Sequence, residues 1–476
     1  MVQLNQDFIN SIAQDLPDGL SMDDFIAYCD KPLRPSLRVN TLKITSAALA
    51  EQLIAKGWQL SAIPWCADGF WFTAPDNVQP GNTVEHLQGL FYIQEASSMM
   101  PPTALFAALD QADYVLDMAS APGSKTTQIA ALMHNQGVLV ANEYSSSRTK
   151  ILHANIARMG VSNTAMTHFD ARVFGEYLYE TFDAILLDAP CSGEGTIRKD
   201  PLALKDWRQS DIDEIAATQR DLIISAFQAL KPGGTLVYST CTLNKLENHQ
   251  VCHFLKQTYP HAVEFVSLEH LFDGADKACS DEGFLHIWPQ IYDSEGFFVA
   301  KLRKTASVER LKPAPKAQRK FPFAQVNAKT FAELQRYVAE RLNAELNIDD
   351  VWQRDDELWL FPHGIAPLLP LIRFQRIGLK LAELSKHGIK LQQEALSALG
   401  AAADAIELDE AQAIEFLMGR DIALTSSAPA QGECLVSYQQ VPLGMVKHLG
   451  HRLKNQLPRH QVRDKLSSSL GTVGNE

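Results

Sequence analysis

The chain from about residue 113 onward alternates short apolar runs with segments of helical periodicity, and this alternation constrains the fold most strongly. It is typical of a parallel sheet whose strands are connected by helices. The predicted strands are residues 114–118, 138–142, 165–169, 184–187 and 235–239. The predicted helices begin near Ser124, Ser146, Asp213 and Glu247. We therefore expect an open α/β sheet, which binds ligands at the carboxyl ends of its strands.

The last two apolar runs of this region differ from the others. Residues 286–291 and 296–302 are separated by only four residues, Tyr-Asp-Ser-Glu, which predicts a hairpin. A hairpin reverses the chain direction, so the last strand should run antiparallel beside an otherwise parallel sheet. The fold class expected is α/β, with a mostly parallel sheet and an antiparallel last strand.

Other segments predict further modules on both sides of the sheet. Helical spacing near the N-terminus is followed by a predicted strand at 37–42 and a helix at 47–56, which indicates a small α/β module. Prolines and many charged residues between about 305 and 323 predict a linker. Beyond it, helical runs at 331–345, 391–399 and 409–417 accompany short strands, and the tail after residue 466 should fray. The predicted parts are an N-terminal module (1–100), the sheet domain (101–304), a basic linker (305–322), an intermediate module (323–400) and a small β-containing module (401–476).

Composition excludes several classes of protein. The 476 residues are 46% hydrophobic, which is compatible with a full core and argues against global disorder. The sequence contains no apolar stretch long enough to span a bilayer, and its N-terminus lacks the features of a signal peptide. The seven cysteines include no C-x-x-C pair, which argues against a disulfide framework or a zinc knuckle. We therefore expect a cytoplasmic protein with no membrane association and no bound metal.

The charge distribution indicates a polyanionic partner. The net charge of −13 argues against nucleic-acid binding over the whole surface. Basic residues nevertheless cluster at 31–43, 301–320 and 447–465. For any one cluster, a solvated surface is an equally good interpretation. Three such clusters in an acidic chain favour a local path for a polyanion.

The turn after the first predicted strand has the features of a cofactor loop. Residues 117–123 are mostly small, and Gly123 allows the backbone to approach a ligand closely. The following helix N-terminus favours an anionic group such as a carboxylate. The turn lacks the G-x-G-x-x-G pattern of dinucleotide sites. A P-loop requires Gly directly before Lys125, where this chain has Ser124.

Acidic residues end the next two predicted strands. Glu143 lies twenty residues after Gly123, an offset at which an acid accepts hydrogen bonds from ribose hydroxyls. Asp170 ends the third strand, within reach of an adenine amino group. Each acid alone is more often a surface carboxylate or a helix cap. Together with the glycine turn they favour a nucleoside with an anionic tail, and S-adenosyl-L-methionine fits this description.

Two cysteines fifty residues apart follow the predicted strands at 184–187 and 235–239. Most free cysteines are buried, inert thiols. Cys191 and Cys241 differ because each lies among small, polar residues directly after an apolar strand. A working thiol needs a base or a lowered pKa, which helix N-termini and Lys125 could supply. Two thiols at the cofactor edge indicate transfer of a group to an unreactive carbon through a covalent intermediate.

Methylation at C5 of a pyrimidine is the chemistry that needs a cofactor loop and two thiols at one edge of the sheet. A thiolate that adds to C6 converts the ring into an enamine, whose C5 can attack a sulfonium methyl. The ring then needs a hydrogen-bond partner at N3 and N4, a role that suits Asp188 if it is protonated or shares a proton. The C5 proton must leave and the thiol must be eliminated, which a second cysteine could assist.

At these residues the chain resembles the RNA cytosine-5 methyltransferase family. The motifs that carry the resemblance are Ala-Pro-Gly-Ser-Lys-Thr at 121–126, Asp-Ala-Pro-Cys-Ser-Gly at 188–193, Ser-Thr-Cys-Thr at 239–242, and residues 35–43 on the substrate side. The family more often has glycine at the position of Ser124. The resemblance implies a Rossmann-like class I methyltransferase sheet that uses S-adenosyl-L-methionine, with a C-terminal PUA-like, α+β RNA-binding region.

The resemblance also implies roles for individual residues. Cys241 would be the nucleophile, Cys191 would assist release, and Lys125 would contact the target base. Asp188 would lie between cofactor and base, Glu143 on the ribose and Asp170 on the adenine. The implied cofactor-binding residues are Ala119, Ser120, Ala121, Pro122, Gly123, Ser124, Lys125, Glu143, Asp170 and Asp188.

The implied target is one cytosine in the decoding region of 16S rRNA, within the assembled 30S subunit, and we expect a monomer. Two alternatives remain open. A DNA cytosine C5 methyltransferase would use Cys191 as nucleophile, but the presence of Cys241 favours the RNA type. A non-catalytic rRNA-binding or ribosome assembly factor would retain the fold alone. The intact Gly123, Glu143 and Asp188 argue against that loss of activity.

Overall fold

The computed structural model describes residues 4–109, 111–386, 388–400, 405–424 and 432–466. Within these residues the strands form four sheets. The predicted fraying after residue 466 lies outside the described residues. No helix among the described residues has the length and apolarity needed to cross a bilayer.

The N-terminal module is a four-stranded antiparallel sheet with flanking helices. Its elements are α1 (Gln6–Asp15), α2 (Met22–Cys29), β1 (Ser36–Val39), α3 (Ser46–Ala55), β2 (Gln59–Ile63), β3 (Cys66–Thr73), α4 (Val84–Leu87) and β4 (Phe91–Ile93). The strand order is β2-β3-β1-β4. The helix α3 begins where the Thr45 side chain accepts from the Ala48 amide, and Gly57 follows it with a φ of +84°. The helix and strand predicted here are confirmed.

The central domain contains the predicted parallel sheet. Its elements are α5 (Met100–Phe106), β5 (Tyr114–Asp117), α6 (Ser124–Leu132), β6 (Val138–Asn142), α7 (Ser146–Met159), β7 (Thr164–Thr167), α8 (Phe174–Tyr177), β8 (Phe182–Asp188), α9 (Gln209–Ala229), β9 (Leu230–Thr240), α10 (His249–Thr258), β10 (Val263–Val266), β11 (Leu285–Ile287), α11 (Pro289–Tyr292) and β12 (Phe297–Lys304).

The order of these strands places a crevice at the middle of the sheet. The order is β10-β12-β9-β8-β5-β6-β7, and the five strands from β9 to β7 are mutually parallel. The chain runs outward in one direction from β5 to β7 and in the other from β8 to β9. Open α/β sheets bind ligands at such a reversal of strand order. Alternate residues of each strand pack into two apolar clusters, one on each face of the sheet.

The antiparallel last strand is confirmed, and so is the antiparallel pairing of the two segments, although the connection between β11 and β12 is longer than predicted. The strand β12 pairs antiparallel with β9, so that Phe298 lies opposite Thr240. The segment before it is a strand only over β11, and the short helix α11 follows. Pro289 begins that helix, because proline lacks the amide proton that a central strand needs and suits a first helical position.

The C-terminal part contains two small sheets. Its elements are β13 (Ala324–Gln325), α12 (Ala328–Leu342), β14 (Val351–Arg354), β15 (Glu357–Leu360), β16 (Arg376–Ile377), β17 (Leu379–Ser385), β18 (Gly388–Leu391), α13 (Gln393–Ala398), β19 (Ile406–Glu407), α14 (Glu410–Leu417), β20 (Ile422–Ala423), β21 (Gly432–Tyr438), β22 (Val441–His448) and β23 (Arg452–Asn455). The strand orders are β13-β14-β15-β17-β18 and β19-β21-β22-β23-β20, and β16 extends the central sheet beside β7. The described residues 305–322 contain no helix or strand.

The last module packs against the first. Lys56 forms ion pairs with Glu85 of the N-terminal module and with Glu410, the latter at 3.2 Å. Its ammonium group also donates to the Tyr438 hydroxyl at 3.0 Å. Gln88 donates from its side chain to the Tyr438 carbonyl, also at 3.0 Å. These contacts join segments more than 300 residues apart in sequence, which the sequence patterns do not predict.

Candidate active site

The predicted site residues meet at the carboxyl edge of the parallel sheet. Asp117 ends β5, Asn142 ends β6 and Asp188 ends β8. Cys241 directly follows β9. Because these four strands are neighbours in the sheet, the groups that follow them face one crevice.

The loop between β5 and α6 is held in one conformation by its neighbours. Gly123 has a φ of +108°, and a Cβ added there would lie 3.1 Å from the Leu152 side chain. The Asn155 side chain donates to the Pro122 carbonyl at 2.9 Å, and the Ser120 amide donates to the Asn142 carbonyl at 2.8 Å. A glycine is therefore required at position 123, both for backbone conformation and for space.

A carboxyl group with an unused oxygen lies beneath this loop. Asp117 is fully buried, and its Oδ2 accepts a hydrogen bond from the Thr126 hydroxyl at 2.7 Å. Its Oδ1 has no partner among the described residues. Burial raises the pKa of Asp117 to about 6, although the Thr126 hydrogen bond opposes the shift. An unpartnered buried oxygen suits an N–H donor of a bound ligand, such as the amino group of an amino-acid tail.

Glu143 lies at the end of β6 beside the same loop. Its Oε2 accepts from the Ala121 amide at 3.3 Å, and its Oε1 accepts from the Ser145 amide at 2.8 Å. The Arg148 guanidinium lies 3.6 Å from Oε2. The carboxylate is thus oriented from two sides and keeps lone pairs for hydroxyl donors.

Asp170 follows β7 and is engaged by a neighbour in sequence. Its carboxylate forms an ion pair with Arg172 at 2.5 Å, and the hydrogen bonds from Arg172 lower the pKa of Asp170. Both groups are partly exposed. Contact with an adenine stays a prediction. It requires the Asp170 carboxylate to accept a hydrogen bond from the adenine amino group, either in addition to those from Arg172 or in place of one of them.

Lys125 and Asp188 form an ion pair across the crevice. The Nζ–Oδ2 distance is 2.7 Å, and the Ser239 hydroxyl donates to Oδ1 at 2.7 Å. Burial disfavours the charge of Lys125, but attraction to Asp188 outweighs it and raises the pKa of Lys125. Both oxygens of Asp188 therefore accept hydrogen bonds, one of them from the Lys125 ammonium.

The two cysteines are in direct contact. Their sulfur atoms are 3.2 Å apart, and both residues are partly exposed. The hydrogen bond to Cys241 and burial raise the pKa of Cys191 well above its ordinary value, and the nearby Glu247 and Asp188 add to the shift. The raised pKa favours the thiol form of Cys191, and either sulfur can be the donor of the hydrogen bond between them. The Lys125 ammonium interacts electrostatically with Cys241.

Sequence reasoning missed two buried carboxylates that fix the cysteine loops. Glu194 lies three residues after Cys191, and it is only 1% exposed. Its Oε1 accepts from the Trp207 indole at 2.9 Å. Its Oε2 accepts from the Thr242 hydroxyl and the Leu243 and Asn244 amides, and also from the Asn244 side chain. Glu194 therefore ties the loop after β8 to the loop after β9.

Glu247 makes the same connection from the opposite side. Its carboxylate accepts from the Ser192 amide at 2.9 Å, the Gln219 side chain at 3.0 Å and the Asn244 side chain at 2.7 Å. Burial raises the pKa of Glu247, against the hydrogen bonds from Ser192 and Asn244. The signal that the sequence offers for both acids is their position a few residues beyond a cysteine.

Some of the predicted basic clusters are structural. Arg38 is buried and donates to the Gln94 side chain at 2.9 Å and to the Thr127 hydroxyl at 2.9 Å. Lys43 donates to the Arg158 carbonyl at 2.9 Å, and burial lowers the pKa of Lys43 to about 7. For these two residues, the predictions of a solvated surface and of a path for a polyanion are both wrong, because their side chains hold the N-terminal module against the central domain.

Comparison with known proteins gives matches along the whole chain. Four family models match in succession. They are the N-terminal domain of 16S rRNA methyltransferase RsmF (4–96), 16S rRNA methyltransferase RsmB/F (104–303), the pre-PUA domain of ribosomal RNA small subunit methyltransferase F (323–399) and the methyltransferase RsmF PUA domain (403–463). The predicted methyltransferase sheet with N-terminal and PUA-like modules is thereby confirmed.

Relatives and solved structures agree with these models. Ribosomal RNA small subunit methyltransferase F of Shewanella frigidimarina is 63% identical, over 99% of this chain and 100% of its own length. That of Shewanella loihica is 64% identical, over 98% of this chain and 97% of its own.

Among solved structures, a methyltransferase homologue from Pyrococcus horikoshii is 35% identical over 63% of this chain and all of its own, with a TM-score of 0.53. NSun6 from Pyrococcus horikoshii with SFG is 22% identical over 64% of this chain and all of its own, with a TM-score of 0.57. This second likeness shows the fold. The high identity over the full length decides the family: the chain belongs to the 16S rRNA methyltransferase RsmB/F family.

Proposed function

We propose that the protein transfers a methyl group from S-adenosyl-L-methionine to C5 of one cytosine in 16S rRNA, with Cys241 as the nucleophile. The observation that carries the proposal is the contact of the two sulfur atoms, 3.2 Å apart, beside the Lys125–Asp188 ion pair. This cluster adjoins the loop after β5, so that a methyl donor and a pyrimidine would meet at one strand edge.

The residues around the loop suit this cofactor, which supplies an electrophilic methyl group when bound. The loop residues 119–125 would hold its amino-acid tail, with the unpartnered Asp117 Oδ1 available to the amino group. Glu143 would accept from the ribose hydroxyls, and Asp170 from the adenine amino group. Asp188 would lie between the cofactor and the base.

The cysteine pair accounts for both halves of the reaction. Cys241 adds to C6 as a thiolate, the nucleophilic form of the side chain. The C5=C6 electron pair moves toward N3, which makes C5 a nucleophile for the methyl group. After transfer the C5 proton passes to water, the C5–H electron pair re-forms the C5=C6 bond, and the S–C6 bond breaks to return Cys241 as a thiolate. Cys191, held protonated in contact with Cys241, can donate to the departing sulfur.

The partner proposed is rRNA within the 30S subunit, at a cytosine of the decoding region, with the protein acting as a cytoplasmic monomer. The names of the relatives support an rRNA substrate. Exposed basic side chains on and beside β23 supply positive charge for phosphates, namely Lys447, Arg452, Lys454 and Arg459.

A DNA-type mechanism with Cys191 as the nucleophile is disfavoured. The raised pKa of Cys191 keeps it protonated, and the thiolate is the form that attacks. The non-catalytic alternative predicts no affinity for S-adenosyl-L-methionine. Isothermal titration calorimetry of S-adenosyl-L-methionine with the full chain tests the non-catalytic alternative, because a binding isotherm would rule out a factor without a cofactor.

The decisive experiment pairs two cysteine variants. Cys241→Ala should abolish methyl transfer to 16S rRNA. Cys191→Ala should leave a protein–RNA adduct that is stable on denaturing gels, because release is impaired. Cys434→Ala, on β21 in the last module, is the matched control and should behave as the unsubstituted protein. An adduct from Cys241→Ala would reverse the two roles. Bisulfite sequencing of 16S rRNA from cells with and without the gene identifies the cytosine.

A further inference from the structure

Two carboxyl groups lie side by side at the edge of the active site, outside the set described above. Glu95 follows β4 and Glu295 precedes β12. The Glu295 amide donates to Glu95 Oε1 at 3.3 Å, and Glu95 Oε2 accepts from the Ser97 hydroxyl and from the Ser98 amide. Glu295 is 5% exposed, and its Oε1 has no partner among the described residues.

The position of Glu295 connects it to the catalytic groups. The next residue, Gly296, donates from its amide to the Gly195 carbonyl at 3.0 Å, and the Gly195 amide donates to the Cys241 carbonyl at 2.9 Å. The residue after that, Phe297, has its ring centre 5.4 Å from Lys125 Nζ. Glu295 therefore belongs to the wall formed by the Cys241 loop and Lys125.

The surroundings of Glu295 keep its carboxyl group protonated. Burial and the neighbouring charge of Glu95 raise the pKa of Glu295 to about 8. The cations Lys199, Lys125 and Arg198 oppose this shift without cancelling it. A neutral carboxylic acid in such a site is a hydrogen-bond donor at neutral pH.

The proposed reaction develops negative charge on the base that such a neutral donor would stabilise. Negative charge moves to N3 of the ring as the thiol adds to C6. Both oxygens of Asp188 already accept hydrogen bonds, from Lys125 and Ser239, which makes Asp188 an acceptor suited to the N4 amino group. The acceptor atoms N3 and O2 need donors, and enzymes that act on a flipped base read it along this edge.

We propose that Glu295 contacts the target cytosine and donates a hydrogen bond from its carboxyl group to N3 or O2, while Glu95 holds Glu295 in place. The inference rests on the proposed function and adds a neutral donor to the base contacts proposed for Asp188 and Lys125. A donor aimed at an atom where charge develops stabilises the transition state more than the bound substrate, so its loss lowers kcat more than it raises KM.

The test compares three variants by single-turnover methylation of 16S rRNA between pH 6 and pH 10. Glu295→Ala should slow methyl transfer by about 100-fold, the typical effect of losing one such donor. Glu295→Gln retains an N–H donor and should recover at least about tenfold of that loss, a partial rescue of the transition-state contact. The rate of the unsubstituted protein should fall as pH rises through about 8, where Glu295 ionises. In Glu295→Gln this decline should disappear.

Glu95→Gln supplies a second, independent readout. Removing its charge lowers the pKa of Glu295, so the alkaline decline should begin at a lower pH. Glu264→Gln, at an exposed position of β10, is the matched control and should leave the profile unchanged. Equal losses in the Ala and Gln variants, or an unaltered decline in Glu295→Gln and Glu95→Gln, would overturn the inference. Methylation by the unsubstituted protein in the same assay tests the proposed function separately.

Discussion

Replacing Glu194 by glutamine should destabilise the contact between the two cysteine loops, with a free-energy cost that the hydrogen bonds of Glu194 determine. The amide has one acceptor oxygen, which must remain on the side of the four donors from Thr242, Leu243 and Asn244. The NH₂ group then faces the Trp207 indole N–H, where Oε1 accepts at 2.9 Å in the native protein. One hydrogen bond to a charged acceptor is lost, and two donors oppose each other, which costs about 2–3 kcal/mol.

Hydrogen–deuterium exchange measures this cost in peptides covering residues 194–208, which contain the lost hydrogen bond, and residues 241–248, which the side chain at position 194 holds. A loss of about 2 kcal/mol corresponds to roughly 30-fold faster opening of the loop. Because misplacement of a reacting group by about 1 Å costs around 100-fold in rate, methyl transfer should also slow by about 10- to 100-fold. Glu214→Gln, at an exposed position of α9, is the matched control.

A double-mutant cycle isolates the cause. In Trp207→Phe the opposing donor is absent, so Glu194→Gln should cost about 1.5 kcal/mol less in that background than alone. The cycle removes the separate effect of losing the contact between Trp207 and Phe8. Unchanged exchange in Glu194→Gln, or equal costs in both backgrounds, would refute the assignment of Glu194 as the tie between the two cysteine loops.

Three further predictions concern the crevice. Lys125→Met leaves the Asp188 carboxylate without its cation, and single-turnover methylation should slow by at least about 100-fold; an unchanged rate would contradict the role of the pair. Asp117 has its pKa raised to about 6, so its contribution to stability is full below about pH 4 and is lost as pH rises through 6. Asp117→Asn should therefore gain up to about 3 kcal/mol relative to the unsubstituted protein between pH 4 and pH 7.5, and equal differences in melting temperature at both pH values would exclude this. Gly123→Ala places a Cβ against Leu152 at a positive φ and should weaken the binding of S-adenosyl-L-methionine, as measured by calorimetry. An affinity equal to that of the unsubstituted protein would contradict the strained geometry.

Local patterns of the sequence predicted the central sheet because its strands are buried on both faces. Such strands are continuous apolar runs, and the polar residue that ends each run marks the ligand edge. Glu143, Asp188 and Cys241 all follow from this rule. The predicted pairing of the last two strands is present, but their connection is longer than predicted because the residues that follow β11 form the short helix α11, which Pro289 starts.

Contacts between distant segments had no comparable signal. Glu95 and Glu295 are two hundred residues apart in sequence, and the hydrogen bond between them forms only once β4 and β12 lie at the same edge. The same holds for Arg38, which has the charge of a surface residue but is buried between two modules. Whether a charged side chain faces solvent or another module depends on packing, which a one-dimensional pattern does not contain.

The sequence by itself determined the sheet, the cofactor loop and the two thiols, because the apolar periodicity and the residues that end each strand are local properties of the chain. Only the tertiary structure decided that the two sulfur atoms lie in contact, which carboxylates fix the loops and which acids have raised pKa values. Those properties depend on burial and on the charges of neighbours within a few ångströms, and folding brings these neighbours together from separate parts of the chain.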